Sequence, residues 1–107
     1  MKYRYGAIVG VVLWASLAAQ AVQAHVPIMR CHLEGKMVTC KGGYDDDSLA
    51  IDTPLSVIDG QERVLYTGKL DARSQFSFEL PEGDFYILMD SGVGHTAEVD
   101  RRDIQGI

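Results

Sequence analysis

Ser74-Gln75-Phe76-Ser77-Phe78-Glu79-Leu80 alternates polar and apolar residues without interruption. Successive strand side chains point to opposite faces, so this period of two puts Phe76, Phe78 and Leu80 together on one face. Pro81-Glu82-Gly83 breaks the pattern, and a second alternation follows in which Phe85, Ile87 and Met89 oppose Tyr86, Leu88 and Asp90. Working outward, no window shows a helical period, and short strand signals recur between turn residues. Strands are predicted at about 27–33, 37–42, 54–59, 62–67, 75–80, 84–90 and 95–101. The breaks are Gly42-Gly43, Asp59-Gly60, Gly68, Pro81-Glu82-Gly83 and Gly92 to Gly94, and residues 102–107 are expected to fray. Seven short antiparallel strands in one small domain predict an all-β, immunoglobulin-like sandwich. The chain has no internal repeat, low-complexity tract or linker.

The start of the chain reads as an export signal. Lys2 and Arg4 form a basic leader, Gly6 to Ala19 carry no charge, and Val22-Gln23-Ala24 fits a cleavage site. The apolar stretch is short for a stable membrane span. Residues 1–24 are therefore assigned to a signal peptide, residues 25–107 to the β-sandwich domain, and the mature protein to the periplasm. Cleavage after Ala21 and an uncleaved anchor are the alternatives. No Cys stands at the cleavage point, which excludes a lipoprotein.

All 15 acidic residues lie beyond residue 24, while Lys2 and Arg4 leave with the leader; eight basic residues remain, for a net charge of −7. Such a domain repels nucleic acid and anionic membrane, and cations are its more natural small partners. A solvated surface explains the same charge without any ligand.

Export also decides how Cys31 and Cys40 are read, because a pair in an oxidising compartment usually becomes a disulfide. Gly35-Lys36 can form a two-residue type II′ turn. The register that follows pairs Glu34 with Met37, Leu33 with Val38, His32 with Thr39 and Cys31 with Cys40. The bridge then closes a short loop worth ~2–3 kcal/mol. A metal-thiolate pair is the competing reading, and it lacks further Cys ligands.

If every strand reverses direction, the free N-terminus shares one end of the domain with loops 43–53, 68–74 and 91–94. That end collects His25, the run Asp45-Asp46-Asp47, Asp71, Asp90 and His95. His32 lies about 20 Å from His25 along a strand, too far to join it. As the first mature residue, His25 offers an α-amine and an imidazole, which titrate near ~8 and ~6.5 and can chelate one ion together. A second imidazole from His95 completes a three-nitrogen set suited to Ni, Co or Cu. Asp90, across the glycine-containing turn, can support the site as ligand or orienter. The plainer readings are a frayed terminus, an ordinary β-turn with a surface His and, for Asp45-Asp46-Asp47, a solvated acidic turn; the acidic run lacks the spaced calcium-loop pattern.

Met89-Asp90-Ser91-Gly92 imitates an aspartic-protease loop, but only 15 residues follow Gly92, too few for that fold. No Ser-His-Asp or Cys-His set, nucleophile elbow or phosphate loop is present, so no enzymatic activity is expected.

Several stretches together carry a family resemblance. They are Ala24-His25, Pro54 to Asp59, Tyr66-Thr67-Gly68-Lys69-Leu70-Asp71, Phe76-Ser77-Phe78, Asp84 to Ile87 and Asp90 to Val99. The chain resembles the small periplasmic domains that accompany energy-coupling-factor nickel and cobalt transporters, within the carboxypeptidase-regulatory-like sandwiches. Their pattern is roughly G-x-T-D-x-x-G-x-F-x-F, then W-x-V-x-V-D-x-G-x-G-H-x-x-x-V. Gly68, Asp71, Phe76, Phe78, Asp90, Gly92, Gly94, His95 and Val99 match it. Leu70 replaces the Thr, Ser74-Gln75 stands where a Gly is expected, and Phe85 or Tyr86 holds the Trp position. The Cys31–Cys40 pair is not a feature associated with that family. The resemblance implies a non-enzymatic accessory role in divalent-metal uptake beside a membrane transporter subunit, with His25 and His95 as ligands and Asp90 in support. The alternative expectation is a metal-free exported module that packs on another envelope protein through a sheet face or edge strand.

Overall fold

Phe85, Ile87 and Met89 are all buried, and the strand that carries them is central to the larger of two sheets. The computed structural model describes residues 26–92 and 94–107. Among them are seven strands: β1 Pro27–Glu34, β2 Met37–Tyr44, β3 Pro54–Asp59, β4 Val64–Lys69, β5 Gln75–Glu79, β6 Phe85–Asp90 and β7 Thr96–Asp100. All strand pairs are antiparallel, in a three-stranded sheet ordered β1-β2-β5 and a four-stranded sheet ordered β4-β3-β6-β7. The inward faces meet in one core that includes Val38, Leu55, Val57, Phe78, Phe85, Ile87 and Met89. Phe78 of β5 packs edge-on against Phe85 at the start of β6, at 6.1 Å between centroids, tying one sheet to the other. The chain is thus a small, sandwich-like all-β domain.

The first hairpin has the expected register throughout, from Glu34 opposite Met37 to Cys31 opposite Cys40. Gly35 has φ 60 and Lys36 does not share the positive φ, as a type II′ turn requires. The two buried cysteines are joined in a disulfide beneath that turn.

Four expectations need correction. β2 does not stop at Gly42-Gly43 but continues to Tyr44. Gly42 serves close packing rather than a break: a Cβ there would lie 2.6 Å from both Leu70 Cδ1 and Met89 Sδ. Gly68 likewise lies inside β4, where a Cβ would overlap the Phe76 ring. β4 begins at Val64 rather than 62, because Asp59 organises a longer turn; its Oδ1 accepts N–H bonds from Gln61 and Arg63, each 2.9 Å. A register shift between Val57 and Ile58 accompanies it.

The largest correction is at the C-terminus, where residues 102–107 do not fray. A 3-10 turn at Arg101–Asp103 leads the chain out of β7 and across to the other sheet. There Leu33 N–H donates to Gln105 O at 2.8 Å, and Gln105 N–H donates to Cys31 O at 3.0 Å. Ile104 is only 2 % exposed and joins the core. The tail therefore covers part of the outer edge of β1 and closes that flank of the sandwich, which removes unpaired edge groups from solvent.

Candidate functional site

Across the core, the Met29–Gly42 row of one sheet meets Met89, which pairs with Ala97 in the other. Val26, three residues before Met29, and the β6–β7 turn, directly after Asp90, therefore lie at the same end of the domain. Val26 is fixed there by two hydrogen bonds: its N–H donates to Asp45 Oδ1 at 3.1 Å, and its carbonyl accepts from Asp45 N–H at 3.0 Å. His25 itself lies outside the described residues.

Glycines shape the β6–β7 turn. Gly92 and Gly94 take φ of 132 and 77, in the region disfavoured for side chains. Ser91 N–H donates to His95 O, and His95 N–H donates to Gly92 O, both at 2.9 Å. Asp90 Oδ1 accepts from Gly92 N–H at 3.0 Å, so one of its oxygens shapes the turn. His95 is exposed, and its imidazole has no hydrogen-bond or ion-pair partner among the described residues.

Asp46 and Asp71, at this same end, are occupied in turns. Asp46 Oδ1 accepts from Ser48 N–H at 3.1 Å and from Ser48 Oγ at 2.6 Å. Asp71 Oδ1 accepts from Arg73 N–H at 2.8 Å and Gln75 N–H at 3.0 Å. The Gln75 bond, then the Arg73 bond, hold its carboxyl below the usual carboxylate range. Asp71 thus shapes the loop into β5. Ser74 takes φ 59; its Oγ accepts from Ala50 N–H and its carbonyl from Gly42 N–H. Among the described residues, no group of three His, Cys, Asp or Glu gathers as a metal cage. His32 stands apart on β1, where its Nε2 meets Glu34 Oε1 at 3.0 Å.

A cleft of about 540 Å³ lies at the opposite end, between Asp59, Tyr86, Asp100 and Arg101. Its polar groups are matched to one another. Arg63 Nε meets Asp59 Oδ2 at 2.8 Å. Arg101 donates to the carbonyls of Pro81 and Gly83 and lies 5.7 Å from the Phe85 ring centroid. Tyr86 donates to Glu62, whose carboxylate, followed by partial burial, pushes the phenol pKa up. Sequence reasoning missed this constellation; Asp59-Gly60 was its only local signal, read simply as a turn.

The chain matches no family model, and no curated protein is significantly similar to it. What the fold and the covalent structure define is a two-sheet antiparallel β domain stapled by one disulfide, consistent with an oxidising, extracytoplasmic setting. Among the described residues, no helix is long and apolar enough to cross a membrane.

Proposed function

We propose that this protein is a periplasmic, non-enzymatic accessory factor of immunoglobulin-like, carboxypeptidase-regulatory-like type. In this reading it binds one Ni²⁺, Co²⁺ or Cu²⁺ ion at its mature N-terminus and hands it to a membrane transporter. The observation that carries the reading is the unpartnered, exposed His95 imidazole, held in a glycine turn at the end where the chain enters through Val26. A signal cleaved after Ala24 would leave the His25 α-amine and imidazole one residue before that anchored point. The free Asp90 oxygen and the excess negative charge favour a cation over an anion there.

Titration calorimetry on the exported protein tests this. One metal ion should bind per chain. His95→Ala, or a Gln inserted ahead of His25, should weaken it at least tenfold. Equal affinity in those variants would refute the assignment.

A second reading rests on β4. This edge strand exposes Val64, Leu65 and Tyr66, and its paired neighbour is β3 alone. An edge that exposes three consecutive apolar side chains, with Lys69 as the one charge in the strand, suits strand addition by another envelope protein. That reading predicts no metal uptake in the same calorimetry and a complex that survives chelator.

A further inference from the structure

On the outer face of the three-stranded sheet, Arg30 of β1 stands directly opposite Lys41 of β2. Both are exposed, and neither has an ion-pair partner among the described residues. Like charges directly across a strand pair repel and weaken a sheet. The next position in the row is Gln75 on β5, which brings no compensating acid. The oddity is sharper because acids outnumber bases in this chain by 15 to 10.

The two cations border a groove of about 320 Å³. Gly43 leaves part of its floor without a side chain, and Ile28 and Leu49 expose 38 % and 49 % of their surface along it. The groove thus combines two positive charges that make no ion pair among the described residues with an apolar shelf. Asp47 also lines it, and exposed Asp45 and Asp46 adjoin that residue.

We propose that this groove docks an acidic peptide segment of another protein, with a carboxylate bridging Arg30 and Lys41 and a neighbouring aliphatic side chain lying on Ile28 and Leu49. A carboxylate accepts from both cations at once, which turns their repulsion into two charge-assisted bonds. A narrow peptide can pass the aspartates at the rim, whereas a flat anionic bilayer would press its headgroups against all three. This inference goes beyond the metal reading, since the β6–β7 turn is in the other sheet; either can fail alone.

The test is a titration of the isotopically labelled, oxidised protein by amide NMR. The probe is acetyl-Leu-Glu-Leu-Asp-Leu-amide, with its Gln/Asn analogue as control and phosphatidylglycerol vesicles as the competing surface. The expected result is shifts centred on Arg30, Lys41 and Leu49 for the acidic peptide, at least tenfold weaker for the neutral analogue and for Lys41→Gln. Lys41→Glu replaces the repulsion with a cross-strand ion pair. It should abolish peptide binding while raising the denaturation midpoint, a combination that mere misfolding cannot produce. Peptide binding unchanged by Lys41→Glu, shifts centred elsewhere, or binding to vesicles without binding to peptide would overturn the proposal.

Discussion

Truncation of Ile104 to Ala is the most direct test of the strap formed by the C-terminal tail. The side chain is 2 % exposed and sits in the core between β7 and the edge of β1, whereas Ile107, three residues on, is 47 % exposed. Removing a buried Ile side chain to Ala costs about 2–5 kcal/mol, from lost transfer free energy and the cavity left behind. The middle of that range, about 3 kcal/mol, is expected here, because the Gln105 bonds to β1 limit how far the tail can collapse into the void. A domain of this size has roughly 4–12 kcal/mol of total stability, so the loss is a quarter of it or more. With a guanidinium slope of about 2 kcal/mol/M, the unfolding midpoint should fall by about 1.5 M. Ile107→Ala should stay within ~0.5 kcal/mol of the parent. Hydrogen exchange gives a second reading, since the Leu33 amide is protected only through Gln105 O and should lose protection selectively in Ile104→Ala. Coincident midpoints for the two Ile variants, or a Leu33 amide already unprotected in the parent, would refute the strap.

Reduction of Cys31–Cys40, nine residues apart, should cost about 2.7 kcal/mol by the loop-closure relation; denaturation with and without reductant measures it. Because Cys31 O also accepts from Gln105, reduction and Ile104→Ala should deviate from additivity. Asp59 supplies a pH signature. The backbone bond from Arg63 is the main cause lowering its folded pKa, helped by Gln61 N–H and the Arg63 side chain against an opposing desolvation. A depressed carboxyl stabilises the fold above its unfolded pKa, near ~3.9, and that stability disappears as pH falls through the lower folded value. Asp59→Asn should therefore flatten the stability profile below about pH 4 while leaving its shape at neutral pH unchanged; an identical acid limb in parent and variant would argue against this role.

Much of the architecture was legible because its signals are local. Alternation in 75–80 and 84–90 needs no partner to be read, and a two-residue turn starting with Gly35 determines every pair up to Cys31–Cys40. The glycines were harder. Gly42 and Gly68 look like punctuation, yet each lies inside a strand because a side chain from elsewhere, Met89 or Phe76, occupies the space a Cβ would need. For the candidate site, sequence alone brought Asp90 and His95 into one turn, but not the bond that commits an Asp90 oxygen to Gly92 N–H. Nor did it show that Asp45 anchors Val26, since that contact spans 19 residues.

By itself the sequence determined the strand class, the hairpin register and the disulfide, since each follows from side-chain period or from a turn closed within ten residues. Tertiary structure alone decided the three-plus-four division of strands, the burial of Ile104 and the groove that Arg30 and Lys41 border. The division and the burial depend on which distant surfaces exclude water together, and the chain's local pattern carries no record of that choice. The Arg30–Lys41 pairing was implicit in the hairpin register, but only the folded sheet revealed that Gln75 rather than an acid comes next in that row.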